Sequence, residues 1–142
     1  MIRGAQNGAA TIIATADGKT DQVLINVINL TGEWIGGESP DTVRYSLVQI
    51  GTKVDGVFKS TLGFPPITNV NTGPLSGSLN FGRYFHNLEL TTEEGCEIRM
   101  YWPHNVEISD SGELILSPES GSLSSTNCSI SGTIDFATLR RE

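Results

Sequence analysis

His86 and His104 are the only histidines in the chain, and Cys96 and Cys128 the only cysteines. With a scatter of carboxylates, these four side chains are the whole supply suited to acid–base, thiolate or metal chemistry near neutral pH. An imidazole works as a general base only when a partner and a substrate proton lie within hydrogen-bond reach, and neither histidine has a partner at motif spacing. His86 falls on the apolar side of "YFHNLEL", where a histidine is expected to be a hydrogen-bonded core residue. His104 follows Pro103 in "YWPHN", which reads as a turn, so it is expected to be exposed. No Gly-x-Ser-x-Gly, phosphate loop or His-Glu-x-x-His occurs. Glu93 and Glu94 sit in a turn before Gly95, Glu107 faces outward between Val106 and Ile108, and Asp110 lies beside Ser111-Gly112. Carboxylates spread in this way share no cleft. No catalytic residue, metal ligand or cofactor is expected.

The composition narrows the partners. A net charge of −7 with no basic run lacks the positive footprint that nucleic acid needs. Hydrophobic residues make up 37% and charged residues 18%, too little charge for a typical disordered chain. No stretch approaches the roughly 20 apolar residues of a membrane helix. The first residues, "MIRGAQNGAATIIATADGKT", lack the apolar core of a secretory signal, so a cytoplasmic protein and the mature part of an exported one both fit.

The side chains must be positioned by strands. Apolar residues recur at every second position: Val43, Tyr45, Leu47; Val54, Gly56, Phe58; Leu75, Gly77, Leu79, Phe81; Tyr84, His86, Leu88, Leu90; Cys96, Ile98, Met100, Trp102; Cys128, Ile130, Gly132, Ile134, Phe136. No helical period is sustained. One apolar and one mixed face is the pattern of antiparallel strands lying on a core. Glycines at 51, 82, 95 and 112 mark the turns. Residues 63–74, with Pro65-Pro66, read as one long connection, and residues 117–127, "SPESGSLSSTN", as a second loop.

The reading is a single all-β domain over residues 1–142, with an N-terminal hairpin over 1–28 and a meander over 29–142. About eight to ten antiparallel strands in one path tend to close, since closure removes the edges. The expected architecture is an up-and-down barrel or a strongly coiled sandwich, with Trp34, Leu47, Phe58, Leu88, Ile98 and Ile134 in its core. Trp34, among Gly32, Gly36 and Gly37, would plug one end. Cys96 and Cys128 each open a strand at the same end of the sheet. With one strand between them they would stand roughly 9–10 Å apart, twice the strand spacing. Two buried thiols are therefore the leading expectation, and a disulfide is a candidate only if loops bring the ends together.

"LTGEW" resembles the Gly-x-Trp opening of the calycin barrels: lipocalins, fatty-acid-binding proteins and avidins. The continuation Leu47-x-Gln49-x-Gly51-x-x-Val54-x-Gly56, the hairpin start "LSGSLNF" and the close "CSISGTIDFATLRR" are similar to small bacterial lipocalin-like barrels. That resemblance implies a non-enzymatic barrel binding a small, largely apolar ligand. Trp34, Tyr45, Phe58, Tyr84, His86, Met100 and Trp102, with Leu47 and Leu88, are the candidate lining. A looser resemblance, carried by size, acidity and the pair Tyr101-Trp102, is to the aegerolysins; it implies a membrane-lipid-binding β-sandwich with those aromatics exposed at one end. A lipocalin-like barrel enzyme with His86 in its cavity is a third possibility.

Overall fold

The computed structural model of the chain describes residues 8–38, 41–60, 72–91, 95–129, 131–134 and 137–142. All regular elements among them are strands. β1 (Gly8–Ala16) and β2 (Lys19–Val27) form a hairpin whose turn residues, Asp17 and Gly18, both have positive φ. That is the Asp-Gly geometry whose twist matches the flanking strands. Among the described residues this hairpin pairs with no other strand, and it leaves Ile13, Val23 and Leu24 more than half exposed.

β3 (Gly32–Glu38), β4 (Asp41–Ile50), β5 (Lys53–Ser60), β6 (Thr72–Asn80), β7 (Arg83–Thr91) and β8 (Glu97–Ile108) follow as an antiparallel meander. β9 (Leu114–Pro118) folds back on the second half of β8 and pairs on its other side with β12 (Leu139–Arg141). β12 pairs in turn with β3, which closes the ring into an eight-stranded barrel rather than a sandwich. β10 (Gly121–Ser125) and β11 (Ser131–Ile134) are extra strands outside the ring, β10 on the first half of β8 and β11 on β10.

The alternation sorts the side chains as expected along most of the barrel. Val43, Tyr45, Leu47, Val54, Phe58, Leu75, Leu88, Ile98, Met100, Leu114, Leu116 and Leu139 are buried inside. The side chain of Ile134, and residues 130 and 136, lie outside the described residues. Phe81, placed on the inward face by its phase, is instead fully exposed at the β6–β7 turn with a positive φ. There the alternation ends because the backbone has already turned.

Two segments read as loops are partly strand. Of the long connection, residues 61–71 lie outside the described residues, but Thr72, Gly73 and Pro74 already belong to β6. In the stretch 117–127, Gly121–Ser125 form β10. Serine and glycine carry little strand preference of their own; the first half of β8, paired with β7 on one edge and not reached by β9 on the other, supplies the partner that orders them. Pro103, which suggested a turn, lies within β8. Its carbonyl accepts the Glu119 N–H at 2.9 Å, so its missing N–H faces the junction between β9 and β10, where the ladder is interrupted anyway.

Trp34 is fully buried at the end of the barrel where the hairpin joins it. Its indole N–H donates to the Leu30 carbonyl at 2.9 Å, and the Arg141 guanidinium lies 5.3 Å from its ring centre. Gln49 secures the plug: its side-chain oxygen accepts the Leu30 N–H at 2.8 Å and its amide donates to the Gly51 carbonyl at 2.9 Å. The Gln-x-Gly element is thus a clamp between the β4–β5 turn and the chain entering the barrel. Gly36 lets the returning chain approach, since a Cβ there would stand 2.9 Å from the Thr138 carbonyl oxygen.

Gly77 is a tighter case. A Cβ at this position would run into the Phe85 carbonyl oxygen and stand 2.8 Å from the His86 Cα, both backbone atoms of the paired strand. Gly77→Ala is expected to cost about 2 kcal/mol by overpacking, read as a fall in urea midpoint at unchanged m-value. A midpoint equal to that of the parent protein would contradict the close approach of β6 to β7.

Candidate functional site

Five aromatic side chains with polar atoms meet inside the barrel. Tyr84 and His86 point inward from β7, and His104 and Trp102 from the facing positions of β8, paired Tyr84 with His104 and His86 with Trp102. Tyr45 reaches in from β4. All five are fully buried. The two imidazoles lie 5.1 Å apart at 26°, stacked diagonally across the β7–β8 ladder. Tyr45 meets both edge-on, at 5.1 Å from His86 and 5.8 Å from His104. Tyr84 lies 5.2 Å and 5.8 Å from the same two rings, and the Trp102 ring is 5.7 Å from His86. The cluster therefore bridges the lumen and forms a floor across it.

The phenol oxygens of Tyr45 and Tyr84 and both ring nitrogens of His86 and His104 have no hydrogen-bond partner. Each such group normally costs about 1–3 kcal/mol when buried and unmatched. Burial also sets the charge. It drives the His86 imidazole well below its ordinary range, with the nearby His104 adding to the effect. It lowers His104 to about 4; a contact with the Trp102 backbone opposes this without reaching hydrogen-bond geometry at either ring nitrogen. Burial raises both phenols, Tyr45 with a further contribution from Tyr84 and Tyr84 with one from Asp55. At neutral pH the cluster is uncharged, yet rich in donors and acceptors.

One side of this floor is apolar. Leu88 faces Met100 and Leu75 across the ladders, toward the end where β7 connects to β8, and Ile98 is buried two residues along from Met100. Phe58 lies 6.1 Å from the Tyr45 ring on the far wall. Trp34 pairs with Tyr45 across the β3–β4 ladder and bonds to Leu30, while Leu47 follows Tyr45 toward the β4–β5 turn.

The structure thus buries Tyr45, Phe58, Tyr84, His86, Met100 and Trp102 in one interior, with Trp34 beside Tyr45 on the neighbouring strand. It corrects the reading of His104, which is a fully buried strand residue and part of the floor. The signal was present: Ile98, Met100, Trp102 and His104 continue one step of two, and only the proline obscured it. His86 lies in the core as expected, but without the hydrogen bonds expected of a core histidine. Tyr101 and Trp102 do not act together. Trp102 is interior, while Tyr101 is partly exposed on the outer wall and stacks on Phe85 at 6.2 Å.

Cys96 and Cys128 are joined as a disulfide, with Cα atoms 5.8 Å apart, rather than left as separate thiols. The expected wide separation assumed one intervening strand. Instead β10 pairs with β8 directly, and Cys128 follows it at once. Asn127 completes the junction: its side-chain oxygen accepts the Glu97 N–H at 2.8 Å and its amide donates to the Gly95 carbonyl at 2.7 Å. Among the described residues no group of three or more histidine, cysteine or carboxylate side chains could hold a metal ion.

The fold and this interior define an eight-stranded antiparallel β-barrel with a polar floor. Comparison with known proteins finds no family model and no curated protein that matches the chain.

Proposed function

We propose that the protein is a non-enzymatic binding barrel for a small, largely apolar ligand, as its resemblance to lipocalin-like barrels implies. One observation carries the reading: four buried polar side chains with unmatched hydrogen-bonding atoms face one another beneath an apolar wall. Eight strands leave an interior that side chains can fill or that one small ligand can occupy. A ligand with a hydrogen-bonding group would match atoms the protein leaves unmatched, while its apolar body packs against Leu75, Leu88 and Met100.

1-Octanol is a suitable probe. It should change the emission of Trp102 in a saturable way. Leu88→Phe, which enlarges a side chain on the apolar wall, should weaken that response at least fivefold while circular dichroism stays that of a β protein. Arg99→Ala, which removes an exposed ion pair with Glu89 on the outer wall, should leave it unchanged. A linear, unsaturable response in the parent protein would reject the reading.

A further inference from the structure

The chemistry of the floor restricts the head group of the ligand. All lysines and arginines among the described residues are exposed. Arg44 pairs with Glu142, Lys53 with Asp55, Arg83 with Glu119 and Arg99 with Glu89, all at the surface. Arg141 covers the outer side of the Trp34 plug and donates to the carbonyls of Asn29 and Thr31. Among the described residues the buried polar side chains, apart from the two tyrosines and the Trp102 indole, are His86, His104 and Ser60. No fixed cation therefore faces the lumen among the described residues. A carboxylate or phosphate entering it would leave water without a countercharge, and an unpaired buried ion is strongly disfavoured. A neutral head group meets no such penalty. Each phenol can donate and accept, and each neutral imidazole offers one donor and one acceptor.

We propose that the barrel selects uncharged amphiphiles, an apolar body with one neutral donor–acceptor head such as an alcohol, phenol or primary amide, and discriminates against carboxylates and phosphates of the same length. This rests on the binding-barrel reading and adds the ligand class to it. Tyr45, Tyr84, His86 and His104 read the head group; Leu88 and Met100 hold the body.

The test compares 1-octanol with sodium octanoate at pH 7.5, by tryptophan emission and by titration calorimetry on the full chain. The expected result is at least a tenfold preference for octanol. Tyr84→Phe, which keeps the ring, should weaken octanol at least threefold and raise the thermal midpoint, because an unmatched hydroxyl is removed. A purely structural tyrosine would move the midpoint alone. Octanoate binding within tenfold of octanol, or Tyr84→Phe binding octanol as well as the parent does, overturns the selectivity while leaving a binding barrel. If neither probe binds, the binding reading fails, and the selectivity with it.

Discussion

Lowering the pH from 7 toward 4 should destabilise the barrel by about 3 kcal/mol through His104 alone, with His86 acting in the same direction. The unfolded chain binds a proton on His104 near the ordinary value of 6.5, whereas the folded chain resists until about 4. Between these values the unfolded state holds more protons, so stability falls as the pH falls. The loss begins near pH 6.5 and levels off below about pH 4; at about 1.4 kcal/mol per unit this gives the figure stated. The groups packed around the imidazoles are Tyr45, Tyr84, Trp102 and the other histidine, none of them charged at neutral pH. No anion in the cluster balances an imidazolium, and the Trp102 backbone opposes the effect of burial on His104 only in part. Asp55, held below the usual carboxylate range first by its hydrogen bond from Lys53 and also by Ser76, loses its favourable interactions only at lower pH. Urea midpoints at pH 7.5 and 5.0 measure the effect, and His104→Phe should shrink the difference between them. Equal midpoints for the parent protein would mean that His104 is not held neutral by burial.

Reducing the Cys96–Cys128 disulfide should cost about 4 kcal/mol. The bond closes a loop with a sequence separation of 32, and the chain-entropy relation for a loop of about that length gives roughly 3.5–4 kcal/mol. The loop runs from the start of β8 through β9 and β10, so it pins the extra strands to the barrel they extend. Amide exchange should accelerate most in β10 and β11, since β10 pairs with β8 only over Ser122–Ser125 and with β11 only over Gly121–Ser124. Guanidinium unfolding with and without dithiothreitol, repeated on the Cys96→Ser, Cys128→Ser double variant, gives the magnitude. A difference under about 1 kcal/mol would show that Asn127 and the backbone hold the junction without the covalent link.

The meander was legible because its chemistry is local. The inward sets on β4, β5, β7 and β8 follow directly from alternation, and the turns follow from glycine. The Gly-x-Trp and Gln-x-Gly elements were visible as motifs, although their joint role as plug and clamp needs Leu30, which no periodicity singles out. His104 is the exception, because the usual local meaning of the preceding proline is a turn. In a barrel the same proline is tolerated where the neighbouring strand breaks, and that depends on residues about 16 positions further along, at Glu119.

The sequence by itself determined the all-β class, the antiparallel phase of most strands and most of the interior, because side-chain direction in a strand depends only on parity. Only the tertiary structure decided the closure of β9 on β8 and of β12 on β3, the strand character of Gly121–Ser125, the disulfide and the stacking of His86 on His104. Each of these depends on which strands become neighbours. Neighbours are chosen by long-range pairing and edge removal rather than by the preferences of the residues themselves.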